Sequence, residues 1–210
     1  LDKADLIIGI GLRNTEVLLA KPFACRSINF DSMPEKYFAG FQYDEVYEIS
    51  GSHSAFQALQ EKNWGLELVE AAKKRLRDNL LLASFLPSTV FEELMYKSTQ
   101  GIRIVVDTGY FCTIAEHVWE VVQADLYLSC GNSRYMGCAI PMALGACLAD
   151  PMTPTVVVVG DGGIGMFGSE LRMLLSRKFP LLILFLSDGG YGSVRTTAIR
   201  KGLTQSPLIM

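Results

Sequence analysis

The sequence predicts an α/β protein in which a parallel sheet is sandwiched by helices. Short apolar runs alternate along the chain with amphipathic stretches, and some runs are apolar along their whole length, as in TVVVVG and LLILFLS. A strand without polar positions belongs to a sheet that is covered on both faces, and β-α alternation makes such a sheet parallel. With 210 residues, half of them apolar, the chain is long enough to bury a large core without disulfide bonds or a structural metal.

Residues 1–62 are predicted to form part of a central, Rossmann-like domain. They hold too few strands for a complete doubly wound sheet, so we expect the chain to be a fragment with a partial first domain. The predicted strands cover 5–11, 26–31 and 44–50. The predicted helices cover 14–21 and 52–62, the second with Ser52 or Ser54 as its cap.

A long, highly charged helix over 65–82 is predicted to connect this part to the next, within a linker at 63–86. Residues 87–210 are predicted to form a second α/β domain that is nearly complete but truncated at its C-terminal end. Its predicted strands cover 102–107, 125–129, 155–160 and 181–187. Its predicted helices cover 88–98 (with Ser88 or Thr89 as cap), 113–122, 137–149 and 168–178.

Composition narrows the class of function. The chain has 19 Lys plus Arg against 22 Asp plus Glu, and a net charge of -3 gives no reason to expect nucleic acid or an anionic membrane as a partner. No apolar run reaches the roughly 18 residues of a bilayer crossing, and no secretory signal is present, so we predict a soluble cytoplasmic protein. The five cysteines are odd in number and lack CxxC spacing, which indicates thiols rather than disulfides or a zinc site.

Several isolated features favour structural roles over functional ones. Neither His53 nor His117 has a carboxylate or nucleophile at a spacing that would indicate a catalytic group. The segment KKRLR at 73–77 is typical of a solvated helix face. Trp64 and Trp119 are expected to be packing anchors.

The segment GIGLRN at 9–14 raises the alternative of a dinucleotide-binding turn, since a strand leads through glycines into a helix. The fingerprint requires a third glycine where Asn14 stands, and Asp31 gives only weak support as the acidic residue that follows. A plain strand-to-helix turn is therefore favoured over a nicotinamide-dependent dehydrogenase.

Two aspartates mark the ends of two successive predicted strands. Asp161 follows TVVVVG and Asp188 follows LLILFLS, so they are separated by one β-α unit. Because ligands of parallel sheets gather at the carboxyl ends of strands, and a right-handed crossover places successive strands side by side, we expect both carboxylates at one edge of the sheet.

We expect the two carboxylates to lie a few ångströms apart, and carboxylates at that distance repel each other unless a cation lies between them. Oxygen ligands suit magnesium or calcium, and magnesium keeps phosphate oxygens among its ligands. The glycines of GDGG and DGGYG leave backbone N–H groups open to a phosphate, and a helix beginning near Phe167 adds its positive end. The pattern therefore predicts a metal-bridged phosphate site. The alternative is two unrelated turns that use Asp and Gly for their turn geometry.

The sequence GDG, then 25 residues, then DGGYG resembles the metal-diphosphate motif of the thiamine diphosphate-dependent enzymes. That family includes acetolactate synthase, pyruvate oxidase and the 2-oxo acid decarboxylases. SCGNSRYMGCAIPMALGACLADP and VDTGYFCTIAEHVW are similar to two further segments of the family, and ADLIIGIGLRN with INFDSMP resembles the second half of its central domain.

The resemblance implies a set of site residues. Asp161, Asp188 and the backbone carbonyl of Gly190 would be magnesium ligands. Met136 would be the bulky side chain under which the cofactor bends, and main-chain groups at Arg134 and Met136 would hold its aminopyrimidine. The remaining residues implied as cofactor contacts are Gly109, Tyr110, Phe111, Gly162, Gly163, Tyr191 and Gly192.

The resemblance also implies a reaction class. It predicts decarboxylation of a 2-oxo acid with transfer of the resulting acyl unit, as in acetolactate synthase, in a dimer or tetramer. A non-ligating decarboxylase and a non-catalytic cofactor-binding or regulatory subunit remain as alternatives.

Two departures from the family pattern matter. Asp188 stands where the family usually has Asn, which adds a negative charge. The family's activating glutamate lies in an N-terminal domain that this sequence lacks, so we expect half a cofactor site that is inactive alone.

Overall fold

A computed structural model describes residues 3–11, 23–32, 43–49, 65–81, 85–98, 101–131 and 134–203. The chain divides into two compact units, residues 1–64 and residues 65–210. Each unit contains its own parallel sheet.

The first unit is built on a three-stranded sheet in the order β1-β2-β3, with parallel pairing throughout. Its strands are β1 (Leu6–Ile10), β2 (Arg26–Asp31) and β3 (Glu45–Glu48). All three were expected from the sequence. The predicted helices at 14–21 and 52–62 lie outside the described residues, as do Asn14, His53 and Trp64.

The second unit contains a four-stranded parallel sheet in the order β5-β4-β6-β7. Its strands are β4 (Arg103–Val106), β5 (Tyr127–Ser129), β6 (Thr155–Gly160) and β7 (Leu181–Leu186). The predicted α/β class with a parallel sheet is therefore confirmed.

Seven described helices surround or extend from this sheet. They are α1 (Leu66–Leu80), α2 (Pro87–Lys97), α3 (Tyr110–Val118), α4 (Ala139–Ala149), α5 (Asp161–Ile164), α6 (Gly168–Ser176) and α7 (Gly192–Arg200), with a short 3-10 helix at Ala124–Leu126. Each described helix is too short or too polar to cross a membrane.

Both faces of the sheet are covered at β4 and β6, as a wholly apolar strand predicts. The same expectation is wrong for β7, an edge strand that leaves Leu182 and Phe185 about half exposed. Successive side chains of a strand point to opposite faces. On β4 and β6, Ile104, Val106 and Val158 therefore pack with Phe91 of α2 and Phe111 of α3. Val105, Val157 and Val159 pack on the other face, with Ala139, Ala143 and Cys147 of α4 and Leu174 of α6. The small side chains along α4 let that helix lie close to the sheet.

The helix α1 presents charged side chains to solvent, which confirms the solvated face expected at 73–77. Lys73 pairs with Glu70, and Lys74 pairs with Asp78. His117 is exposed, and its Nδ1 lies 2.6 Å from the carbonyl oxygen of Thr113. Trp119 packs against the core, as expected.

Some element boundaries differ from the prediction. The helix α3 covers 110–118 rather than 113–122, and α5 and α7 were not predicted. The expected cap at Ser88 or Thr89 is wrong, because Leu86 occupies the N-cap position and no side chain caps α2. Ser88 is buried, and its hydroxyl instead donates to the carbonyl oxygen of Leu80 at the end of α1.

Candidate metal and diphosphate site

The strands β6 and β7 bring the two predicted aspartates to one edge of the sheet. They pair in parallel with Gly160 opposite Leu186, so Asp161 and Ser187 follow directly at the same carboxyl-terminal edge. Asp188 comes one residue later. The loops that carry the two aspartates therefore meet, as the β-α spacing predicted.

The carboxylate of Asp161 is held by donors from both loops. Its Oδ2 accepts from the Ser187 hydroxyl at 2.6 Å and from the Gly190 N–H at 3.2 Å, while its Oδ1 accepts from the Gly162 N–H at 2.9 Å. Burial opposes the charged form, but the hydrogen bonds from Ser187 and from backbone N–H groups outweigh it and lower the pKa of Asp161. The site thus has a fixed, ionised carboxylate at the end of β6.

The carboxylate of Asp188 lies over the first turn of α7. Its Oδ2 is 3.2 Å from an Nη atom of Arg195, with which it forms an ion pair. A methyl group at Gly192 would come within 2.1 Å of that same oxygen and 3.3 Å of the Tyr110 ring, so a side chain at position 192 would displace the Asp188 carboxylate from this place.

Gly190 joins the two aspartate loops through its backbone. Its N–H donates to Asp161, and its carbonyl oxygen accepts from the N–H of Gly192 at 3.0 Å. A carbonyl oxygen has two lone pairs, so this bond leaves one that a metal ion can use.

The glycines after Asp161 are packed closely by other parts of the predicted site. A methyl group at Gly162 would lie 2.9 Å from the Tyr191 ring and 3.4 Å from the sulfur of Met136. The structure therefore brings Met136, Gly162 and Tyr191 together, although 55 positions separate the first from the last. Met136 remains 36% exposed.

Asp107 is a site-forming residue that the sequence did not reveal. It follows β4, its side chain is 1% exposed, and its Oδ2 accepts from the Gly137 N–H at 2.9 Å. A methyl group at Gly163 would lie 1.9 Å from that oxygen. Burial raises the pKa of Asp107, against the opposing effect of the N–H groups of Gly137 and neighbouring residues. Its position at a strand end, like that of Asp161, is the signal that could have identified it.

Two further contacts fix the loop that carries Met136. The Thr108 hydroxyl donates to the Tyr135 carbonyl oxygen at 3.0 Å, and the Arg134 guanidinium binds both carboxylate oxygens of Glu116 on α3, at 3.0 and 2.8 Å. Arg134 adopts a left-handed backbone conformation with a φ of 48°. Its ion pair and the backbone contact at Tyr135 hold the loop in this unusual shape.

The predicted residues 109–111 divide between the site and the core. Tyr110 begins α3, is 45% exposed and lies against Gly192 of the metal-site loop. Phe111 is buried, and its ring lies against Gly109 and Gly160 in the core beneath the loops.

The donors at this edge fit a hard, divalent cation such as magnesium. They are two carboxylates and one backbone carbonyl, and oxygen ligands of this kind suit magnesium. The described residues contain no group of three or more His, Cys, Asp or Glu side chains arranged for a metal, so any ion here needs backbone and ligand oxygens to complete its coordination. Glycines 162, 163 and 192 leave room at this edge for the side chains of Tyr191, Asp107 and Asp188, respectively.

Comparison with known sequences identifies the class of protein. Residues 107–207 match the family described as thiamine pyrophosphate enzyme, C-terminal TPP binding domain, thiamine pyrophosphate being another name for thiamine diphosphate. The matched segment contains every candidate site residue from Gly109 to Gly192. The second half of the chain therefore contains the cofactor-binding domain found in thiamine diphosphate-dependent enzymes, as its motifs indicated.

The relatives are named for different reactions. The chain is 26% identical to the acetolactate synthase isozyme 3 large subunit of Escherichia coli over 154 residues, which are 72% of this chain and 27% of that protein. It is 37% identical to a probable pyruvate decarboxylase of Schizosaccharomyces pombe over 57 residues, 27% of this chain and 10% of that protein. A 3D-(3,5/4)-trihydroxycyclohexane-1,2-dione hydrolase of Lacticaseibacillus casei is 23% identical over 95% of this chain and 37% of its own length. In each case the match spans well under half of the relative.

Because Asp107 lies so close to Gly163, we predict that alanine substitution at two nearby glycines has very different effects on stability. We expect Gly163→Ala to destabilise the protein by about 1–3 kcal/mol, because the new methyl group displaces a buried carboxylate. Gly165→Ala is the control, since a methyl group there meets nothing within 4 Å, and it should change stability by less than about 0.5 kcal/mol. Urea unfolding of both variants measures the difference, and equal stabilities would contradict the packing described.

Proposed function

We propose that this chain supplies the metal- and diphosphate-binding half of a thiamine diphosphate site in an enzyme that acts on 2-oxo acids. The observation that carries the proposal is the position of Asp161 at the shared edge of β6 and β7, where Ser187 and Gly190 orient its carboxylate. An ionised carboxylate held in this way is preorganised to bind a cation.

In this proposal Asp161, Asp188 and the carbonyl oxygen of Gly190 hold a magnesium ion, which in turn binds the diphosphate. The diphosphate is assigned to the backbone of Gly162 and Gly163, the two residues that follow Asp161. Oxygen ligation at helix and strand ends of this kind is how phosphate groups and magnesium are commonly held together.

The opposite end of the cofactor is assigned to the loop after β5. Main-chain groups at Arg134 and Met136 hold the aminopyrimidine, and the Met136 side chain supports the bent shape of the bound cofactor. The contact of Met136 with Gly162 supports this assignment, because it places the loop beside the proposed diphosphate surface. Tyr110, Tyr191 and Gly192 line the same region. When bound, thiamine diphosphate supplies a nucleophilic carbon for breaking and forming carbon–carbon bonds next to a carbonyl group.

We assign decarboxylation followed by carboligation, as in an acetolactate synthase, as the reaction. The name of the Escherichia coli relative supports this assignment, and the name of the Schizosaccharomyces pombe relative supports non-ligating decarboxylation as the second candidate. The proposal includes a cytoplasmic homodimer or homotetramer in which another domain supplies the activating glutamate, so that this chain alone is inactive.

The metal site is tested by asparagine substitution at Asp161. At a thiamine diphosphate concentration about 100 times its dissociation constant, with magnesium present, we expect the melting temperature of the chain to rise by about 5–10 °C. Asp161→Asn should abolish most of this rise, because the amide lacks the charge that holds the ion.

The matched control for this substitution is Asp125→Asn, which removes an exposed carboxylate away from the β6–β7 edge. It should leave the rise intact, while a chelator should remove it. A rise that persists in both the chelator and the Asp161 variant would show that binding does not depend on this metal site.

The assignment of Met136 is tested by comparing two ligands. We expect Met136→Ala to weaken thiamine diphosphate binding roughly tenfold, equivalent to about 1.4 kcal/mol, because it removes the apolar support of the ring system. Magnesium pyrophosphate lacks the rings and should bind unchanged. Met152→Ala, at an exposed methionine, is the control. Titration calorimetry measures both ligands, and an equal loss for both would contradict the assigned role.

The reaction class is tested by product analysis on the full-length protein that contains this chain. With pyruvate, thiamine diphosphate and magnesium, carboligation gives acetolactate, whereas simple decarboxylation gives acetaldehyde. We expect acetolactate as the main product. Acetaldehyde alone would favour the second candidate, and neither product would exclude pyruvate as the 2-oxo acid.

A further inference from the structure

The proposed site has an excess of negative charge, and one residue outside the predicted set can compensate it. Asp161 and Asp188 leave the sheet at the same edge, and a diphosphate brings several further negative charges to it. Within the described part of the chain, Asp161 has no Lys or Arg at ion-pair distance; its donors are a hydroxyl and backbone N–H groups.

Arg195 is the cationic side chain that contacts a candidate metal ligand. It lies in the first turns of α7, where its N–H donates to the Tyr191 carbonyl oxygen at 2.8 Å. Its guanidinium is 3.2 Å from Oδ2 of Asp188, and the two side chains are 33% and 49% exposed. A guanidinium has several N–H donors and stays charged at all physiological pH values, so this contact leaves part of it available to neighbouring anions.

The start of α7 has room for the Asp188 carboxylate because residue 192 is a glycine. Gly192 lies directly under the Asp188 carboxylate, at a point where any side chain would collide with it. Arg195 is three residues further along the same helix and therefore lies on the same face. The helix thus presents an open surface for Asp188 and a cation beside it.

We propose that Arg195 is the counter-ion that lets a carboxylate at position 188 share a site with a diphosphate, an inference that rests on the proposed function. An aspartate paired with an arginine is, as a unit, electrically neutral. Arg195 acts through Asp188 and is a positioning residue. Its removal leaves Asp188 with an uncompensated charge beside the metal ion.

This role predicts effects of opposite sign on two ligands. Without Arg195, the more negative site should bind magnesium alone more tightly, by about two- to fivefold, because the Coulomb attraction is no longer offset. The same site should bind thiamine diphosphate, at saturating magnesium, roughly tenfold more weakly, because the anionic tail is repelled. A loss of folding or of helix packing weakens both ligands together and cannot produce this pattern.

The experiment is a double-substitution cycle on the chain, with titration calorimetry of magnesium chloride alone and of thiamine diphosphate at saturating magnesium. Arg195→Gln should weaken thiamine diphosphate binding roughly tenfold when Asp188 is intact. Combined with Asp188→Asn, the same change should cost less than about twofold, since an amide needs no counter-ion. Arg200→Gln, which removes a charge from the last turn of the same helix, should change either affinity by less than about twofold.

Two results would overturn the inference while leaving the proposed function intact. One is an Arg195→Gln protein that binds thiamine diphosphate as tightly as the unaltered chain. The other is an equal loss with and without Asp188, which would show that Arg195 acts independently of that carboxylate. If the unaltered chain shows no magnesium-dependent binding of thiamine diphosphate, the proposed function fails and this inference fails with it.

Discussion

The parallel pairing of β6 with β7 is the constraint on which the site depends. Because Gly160 lies opposite Leu186, the chain leaves both strands at the same level, and Asp161 reaches Ser187 and Gly190 without a long loop. A shift of one residue in this register would turn every side chain beyond it to the other face of the sheet. The buried valines of β6 resist such a shift, since they pack alternately into two separate apolar clusters. Core packing therefore determines where the carboxylate is held.

A second group of contacts joins the loops that follow three different strands. Asp107 binds the backbone of the Met136 loop from one side, and Glu116 binds it through Arg134 from the other. Asp107 also lies against Gly163, so the segment after β4 contacts both the loop after β5 and the loop after β6. A buried carboxylate that accepts several backbone N–H groups can hold such a junction, because leaving those groups without a partner would cost free energy.

The sequence revealed the sheet more completely than the contacts that shape the site. Apolar runs are local signals, so β4, β6 and β7 could be located, and the β-α spacing then placed Asp161 and Asp188 at one edge. The bond of Asp107 to Gly137 joins residues 30 positions apart, and that of Arg134 to Glu116 joins residues 18 positions apart. No local sequence pattern predicts such contacts. The role of Ser88 could not be predicted for the same reason. Its position in the sequence suggests an N-cap of α2, but its hydroxyl donates a hydrogen bond to the last turn of α1. The helix α7 was missed because its glycine-rich start has low helix propensity.

The two aspartates, similar in sequence context, are stabilised by different physical means. Asp161 is partly buried and is held by dipoles, a hydroxyl and backbone N–H groups, that carry no net charge. Asp188 is about half exposed and is held by a full positive charge. In the proposed site, a cation bound by both aspartates would gain the whole charge of Asp161 but would compete with Arg195 for that of Asp188. The first carboxylate is therefore suited to fixing the ion, and the second to adjusting how much negative charge the site presents to an anionic ligand.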